Sequence, residues 1–274
     1  MISMIQAAVL GVVEGLTEFL PVSSTGHLTI VESIMGIKTD DKAVTAFTAV
    51  IQVGAILAAV LYFRRDIARL AVAFVRGLGS GRARRETDWR LALCVIAGSI
   101  PIGIVGFLAK DFIKSDLRSL WVVAGALIVW SVVMVLAERV ASYRRHEEDT
   151  TLTDAIIIGL VQCLALVPGV SRSGATISAG LFRGLDRVAA TRLSFLLGIP
   201  ALVAAGVYEL KDLSGLRVAP TVLATVVSFV VAYVAIAWLL RFVVRHSIAV
   251  FAGYRVLLAV VLIGLLSTGV ISAT

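Results

Sequence analysis

The chain has 274 residues, 59% of them hydrophobic and 16% charged, with a mean hydropathy of +0.99. That is too apolar for an ordinary soluble domain and points to an integral membrane protein. The formal charge of +7 would suit a nucleic acid, but the arginines collect in short stretches between apolar runs, which excludes that partner.

In chain order, the first segment, 4–36, is apolar yet carries Glu14, Glu18, Ser23, Ser24, Thr25 and His27, and is broken at Pro21. No basic region precedes it, so no cleavable signal peptide is expected. Near-neutral Lys38-Thr-Asp-Asp-Lys42 follows. A full span is predicted over 43–63, long enough for a hydrocarbon core of about 30 Å. The stretch 64–90 holds eight arginines against Asp66, Glu86 and Asp88. It reads as a cytoplasmic, orienting loop able to touch anionic lipid. Further spans are predicted over 91–109 and 119–137, separated by an outward loop at 110–118. Arg139, Arg144 and Arg145 then mark 138–154 as cytoplasmic.

The segment 152–183 is again apolar, polar at Ser171, Arg172, Ser173 and Thr176, and broken at Pro168-Gly169. Arg183, Arg187 and Arg192 place its return on the cytoplasmic side. Spans over 193–209, 220–240 and 248–270 complete the chain, with 210–219 outside and Arg241 and Arg245 inside. Arg255, within the last span, is read as snorkelling or pairing structurally. Tyr62, Trp121 and Tyr208 suit interfacial belts. Cys94 and Cys163 read as buried thiols rather than a disulfide or a metal pair.

The two broken segments are copies. Gly11-Val-Val-Glu-Gly-Leu-Thr-Glu-Phe-Leu-Pro-Val-Ser-Ser-Thr-Gly26 aligns without a gap on Gly159-Leu-Val-Gln-Cys-Leu-Ala-Leu-Val-Pro-Gly-Val-Ser-Arg-Ser-Gly174, 148 residues later. The span count closes only if each enters and leaves by the same face. Irregular backbone at that depth is tolerated where it is buried in protein or lines a wet cavity. The predicted fold is therefore an all-α integral membrane protein of six full spans plus two re-entrant helical hairpins, arranged as an inverted repeat. It is one polytopic domain over 1–274, with copies at about 4–137 and 152–270. Such interfaces house sites.

Glu14 and Glu18, four residues apart, share one helix face. Two adjacent carboxylates need a proton, a cation or a basic partner between them. Ser24 and His27, at i and i+3, are spaced for the imidazole to take a hydroxyl proton, with Glu18 orienting the ring. In the second copy, the hydroxyls of Ser171, Ser173 and Thr176, the free amides at a helix start and the Arg172 guanidinium form what a phosphate oxyanion needs. Ser23 and Thr25 join them as phosphate-binding candidates. The same serines and Thr176 would equally serve as caps or packing residues. No P-loop, dinucleotide fingerprint or zinc spacing is present.

Glu14-Gly-Leu-Thr-Glu-Phe-Leu-Pro-Val-Ser-Ser-Thr-Gly-His27 and Pro168-Gly-Val-Ser-Arg-Ser-Gly-Ala-Thr176 resemble the two motifs of the undecaprenyl-pyrophosphate phosphatase, or bacitracin-resistance, family. The likeness extends through Phe47-Thr-Ala-Val-Ile-Gln52 and Phe195-Leu-Leu-Gly-Ile-Pro200. The resemblance implies a hydrolase of the bacterial cytoplasmic (inner) membrane that converts a C55 polyprenyl diphosphate to the monophosphate carrier of peptidoglycan synthesis. It implies support by a divalent cation, Mg²⁺ or Ca²⁺, held by Glu14 and Glu18, with Glu18, Ser24, His27 and Arg172 catalytic. The expected partners are the lipid substrate, membrane lipid and a second copy in a homodimer, with the site reached from the external, periplasmic side. An inverted-repeat transporter or flippase for an anionic lipid or solute is the rival reading. The paired Ser and His near two carboxylates favour an enzyme, since a carrier needs no activated nucleophile. A second lipid phosphatase family shares Ser-Thr-Gly-His-like and Ser-Arg elements, but its later His-Asp pair has no counterpart after Arg172.

Overall fold

The computed structural model describes residues 2–37, 42–109, 119–209, 216–269 and 271, and among these it is helical throughout, with no β-strand longer than an isolated bridge. The eleven helices are α1 (Met4–Thr17), α2 (Ser24–Ile34), α3 (Lys42–Tyr62), α4 (Arg64–Gly79), α5 (Thr87–Leu108), α6 (Leu120–Val140), α7 (Leu152–Gln162), α8 (Arg172–Phe182), α9 (Arg187–Glu209), α10 (Val218–Phe242) and α11 (Ala249–Ser267). Six of them, α3, α5, α6, α9, α10 and α11, are long and apolar enough to cross a membrane. They coincide with the six predicted spans. Two begin earlier than hydropathy suggested. Helix α5 starts at Thr87 rather than 91 and α9 at Arg187 rather than 193, because each opens with a charged turn that is helical but not apolar. The predicted loops at 110–118 and, in large part, 210–219 lie outside the described residues.

The Arg-rich stretch is not a loop. Its first half is α4, whose Leu70, Ala73 and Gly77 are buried against α5, where Gly77 meets the Trp89 ring. Side chains such as Val75 and Leu78 on the other side stay exposed.

Close crossings need small residues. Helix α1 lies on α10 with Gly11 against the Ala224 carbonyl and Gly15 against that of Ser228. Helix α7 lies on α5 with Gly159 against Gly98. A Cβ added at Gly11 would stand 2.5 Å from the Ala224 oxygen, and one at Gly159 2.2 Å from that of Gly98. Small residues allow backbones to approach in this way where the lipid supplies no hydrophobic drive. Phe19, Phe63 and Phe195 stack edge-to-face at 5.3 and 6.0 Å in the main buried cluster.

One end of the bundle carries an ionic layer. Buried Asp154 caps α7 through Thr151 and receives Arg145 at 2.5 Å and Arg183 at 2.7 Å. Arg187 grips Glu138 at 2.7 Å, and a Glu138 oxygen also accepts the Ile248 amide. Arg192 joins Asp66 at 2.9 Å and Glu147 at 2.5 Å. The segments with cytoplasmic charge signatures, 64–90, 138–154 and 183–192, thus meet at one end, with 241–247 beside them through the adjoining Ile248 amide. Cys94 and Cys163 are free thiols.

Candidate active site

The two copies of the motif converge on a cavity of about 490 Å³. Glu18, Ser23, Ser24, Thr25 and Gln52 form one wall, and Gly169, Ser171 and Arg172 a second. Ile102, Phe107, Leu166, Leu202 and Tyr208 supply an apolar remainder. Both α5 and α9 run through an internal proline, Pro101 and Pro200, immediately before cavity-lining residues Ile102 and Ala201. Proline removes a ladder hydrogen bond and prevents close coiling at that turn.

Helices α2 and α8 both open at this cavity, each behind a serine in a left-handed backbone conformation. Ser23 has φ 80° and Ser171 φ 74°, unusual for any residue but glycine. Each hydroxyl caps its own helix by accepting from Gly26 N or Gly174 N. Ser23 also accepts the Gly169 amide at 3.2 Å, which ties the two breaks together. First-turn amides and two positive helix ends therefore face one space, which favours an anion.

Ser24 and Arg172 occupy the same place, the first turn of α2 and of α8. Ser24 Oγ donates to Glu18 Oε2 at 2.7 Å. The Arg172 guanidinium lies 3.5 Å from Glu18 Oε1, donates to the Ser194 carbonyl at 3.4 Å, and rests 5.8 Å from the Phe19 ring centre. Its Nε has no hydrogen-bond acceptor among the described residues, and its Nη2 meets Glu18 only at ion-pair distance. One carboxylate thus touches a hydroxyl and a guanidinium together.

His27 is bonded to groups other than Ser24. Its Nδ1 is 2.7 Å from the Ser23 carbonyl, which only an N–H can satisfy, and its Nε2 is 2.7 Å from the Tyr254 hydroxyl on α11. The two rings stack at 5.6 Å. Side chains on a helix lean back toward its N-terminus, so His27 covers the i−4 carbonyl while Ser24 reaches out to the end of α1. Glu18 meets Ser24 directly, with no imidazole between.

Other predicted residues are placed as follows. Glu14 is buried one turn before Glu18 and does not line the cavity. Ser173 is buried beside Ser171, hydroxyl to hydroxyl at 3.2 Å. Thr176 donates to the Arg172 carbonyl at 2.8 Å and meets Ser194 Oγ at 2.5 Å, so it braces α8 on α9 beneath the guanidinium. Gln52, Tyr254 and Arg255 were not singled out as site residues. Gln52 and the Gly198 that cradles Arg172 lie in the two flanking stretches that carry the resemblance, which was the available signal.

A match to the family model described as bacitracin resistance protein BacA covers residues 7–261. The chain belongs to this family. It is 59% identical to an undecaprenyl-diphosphatase of Acidothermus cellulolyticus, over 98% of this chain and 99% of that protein. Undecaprenyl-diphosphatase 3 of Frankia casuarinae is 57% identical over 99% of this chain and all of the relative. Undecaprenyl-diphosphatase 1 of Streptomyces avermitilis is 57% identical over 97% and 98% respectively. With six apolar helices of spanning length, this BacA-family chain is a multi-pass membrane protein.

A divalent cation fits the donor set in one way. The oxygens on the polar wall, from Glu18, Ser24, Thr25 and Gln52, are the hard donors that Mg²⁺ and Ca²⁺ prefer. No group of three or more His, Cys, Asp or Glu clusters among the described residues, so a cation held here would rely on substrate oxygens to complete its shell.

Proposed function

We propose that this protein is an undecaprenyl-diphosphatase, removing the terminal phosphate of a C55 polyprenyl diphosphate to leave the monophosphate carrier and inorganic phosphate. The observation that carries the chemistry is Ser24 donating to Glu18 beside Arg172, where the two polar walls meet in a cavity whose remaining lining is apolar. Ser24 Oγ attacks the terminal phosphorus as its proton passes to Glu18. The bridging P–O bond breaks, and the polyprenyl monophosphate leaves with the electron pair. Water then cleaves the phosphoserine, and the proton returns from Glu18 to Ser24. Arg172 and the two helix ends hold the developing charge on the phosphoryl oxygens. A Mg²⁺ or Ca²⁺ bound by Glu18 would neutralise diphosphate charge.

The enzyme is one membrane domain built of two inverted copies, about 4–137 and 152–270. Helix length supports the re-entrant reading, and two likenesses between the copies support the repeat. Helix α1 has 14 residues, and α2, α7 and α8 have 11 each. At 1.5 Å per residue these reach about 17–21 Å, short of a core of about 30 Å. Ser23 and Ser171 share backbone geometry, and Gly11 and Gly159 sit at matching crossings. The polarity is divided: Glu18 of the first copy aligns with Leu166 of the second, and both line the cavity. The first copy supplies Ser24 and Glu18, and the second supplies Arg172 beside an apolar face for the lipid tail. The active site opens toward the external side of the cytoplasmic membrane.

The test is phosphate release by purified protein from a polyprenyl diphosphate. Wild type should release phosphate and Ser24→Ala and Glu18→Gln should not. Arg172→Lys keeps the charge but loses the planar fork, and should fall on the order of a hundredfold, as when one oxyanion donor is removed. Lipid movement across vesicles without phosphate release would favour a carrier instead.

A further inference from the structure

Arg255 lies in the middle of α11 and is fully buried, so it neither snorkels nor reaches water. Its Nη1 donates to the Pro21 carbonyl at 3.3 Å and its Nη2 to the Gly169 carbonyl at 2.8 Å. Nε is 3.2 Å from Ser131 Oγ, and the Leu127 and Ala126 carbonyls lie at 3.4 and 3.5 Å from Nη2. Pro21 and Gly169 are equivalent positions of the two copies, each two residues before the left-handed serine that opens α2 or α8. One planar fork therefore spans the same carbonyl in both breaks.

We propose that Arg255 is the positioning residue that fixes the two cavity-facing helix ends relative to each other, and so sets the distance between Ser24 with Glu18 on one side and Arg172 on the other. The proposal rests on the phosphatase reading above for its catalytic consequence, but not for its geometry. A guanidinium removed from water is costly, and an apolar residue of similar volume would often be the more stable choice. Its acceptors among the described residues are all neutral oxygens, so ion pairing does not explain its place. Two carbonyls gripped at once by a rigid fork do. A lysine ammonium offers a point charge on a flexible stem and cannot reproduce that geometry. The neighbouring Tyr254 adds a third hold, through His27 on the first turns of α2. Helix α11 thus clamps both copies while supplying no residue of the cavity lining itself.

The experiment compares wild type, Arg255→Lys and Arg255→Gln in two ways. In steady-state phosphate release, well below each melting temperature, both variants should lose at least tenfold in kcat while KM stays within about threefold. A misplaced nucleophile weakens the transition state more than ground-state binding. In parallel, spin labels at Ile34→Cys and Phe182→Cys, with Cys94 and Cys163 replaced by alanine, report the distance between the far ends of α2 and α8. The wild-type distribution should be narrow, and both variants should broaden or shift it. Wild-type kcat in Arg255→Lys, or an unchanged distance in Arg255→Gln, would overturn the proposal. So would a lowered melting temperature with kcat intact, the mark of a brace alone. A wild type that released no phosphate would instead sink the phosphatase reading, and the distance measurement would still decide the clamp.

Discussion

Arg172 illustrates how one side chain is held by what is missing opposite it. Its guanidinium occupies the space a side chain at Gly198 would need: a Cβ there would stand 1.7 Å from Nη1 and 2.6 Å from Cζ. Alanine is the better helix former by about 1 kcal/mol, so Gly198→Ala should not lower the melting temperature through propensity. It should still displace the guanidinium from Glu18 and reduce kcat/KM by at least tenfold, measured as phosphate release. Normal activity would mean Arg172 works from another rotamer. The sequence named Arg172 because an arginine among apolar segments needs a reason, yet it did not pair that arginine with its seat, since Gly198 stands on another helix and is marked only by its place in a resembling stretch. The i, i+3 spacing of Ser24 and His27 does not become a contact, because Ser24, in the first turn of α2, reaches Glu18 while His27 is taken up by the Ser23 carbonyl and Tyr254. Glu14 and Glu18 fared similarly. Glu18 ends α1 and turns to the cavity, while Glu14 stays in the packed body of the helix.

Among the elements, the long spans were readable because each is a continuous apolar run, whereas α4 was not, since its mixed apolar and arginine pattern resembles a surface loop when only charge is counted. The short linkers at the ionic end also acquire structure through pairing that sequence separation conceals. His146, exposed in the stretch between α6 and α7, lies 2.6 Å from Asp186, at the start of α9. The hydrogen bond and the charge of Asp186 raise the imidazole pKa above its ordinary value. A raised folded-state pKa contributes stability that is fully present below about pH 6.5, the unfolded value, and is lost as pH rises through the folded value. The melting temperature should therefore decline between pH 6 and pH 8 in wild type more than in Asp186→Asn. An NMR titration of the ring should show its midpoint falling in the variant. Equal midpoints in both proteins would show that Asp186 does not hold the ring in solution.

For the molecule as a whole, the stretches that charge places on one side of the membrane also lie at one end of the fold. Loop arginines alone assign 64–90, 138–154 and 241–247 to the cytoplasm. The fold then brings these stretches together in one ionic layer, joined by Arg192 to Asp66 and Glu147, and by Glu138 to Arg187 and Ile248. A span misassigned in the sequence would have scattered its loop to the opposite end. The apolar belt between the ends is exposed on the spans, with Val129, Val132, Val230 and Val234 more than half accessible, as lipid contact requires. What sequence could not supply was the third dimension of the two copies: their alignment implied equivalence, but only folding places Pro21 and Gly169 under one guanidinium. The whole arrangement predicts where the surface meets each compartment. In a background with Cys94 and Cys163 replaced by alanine, Ser80→Cys on the Arg-rich side should resist a membrane-impermeant maleimide added to intact cells and react after lysis. Thr268→Cys, past the end of α11, should react in intact cells. The physical reason is the cost of moving arginine clusters across the membrane during insertion, which biases the orientation toward arginines on the cytoplasmic side. Labelling of Ser80→Cys but not Thr268→Cys in intact cells would invert the molecule, and would turn the cavity and its catalytic wall toward the cytoplasm.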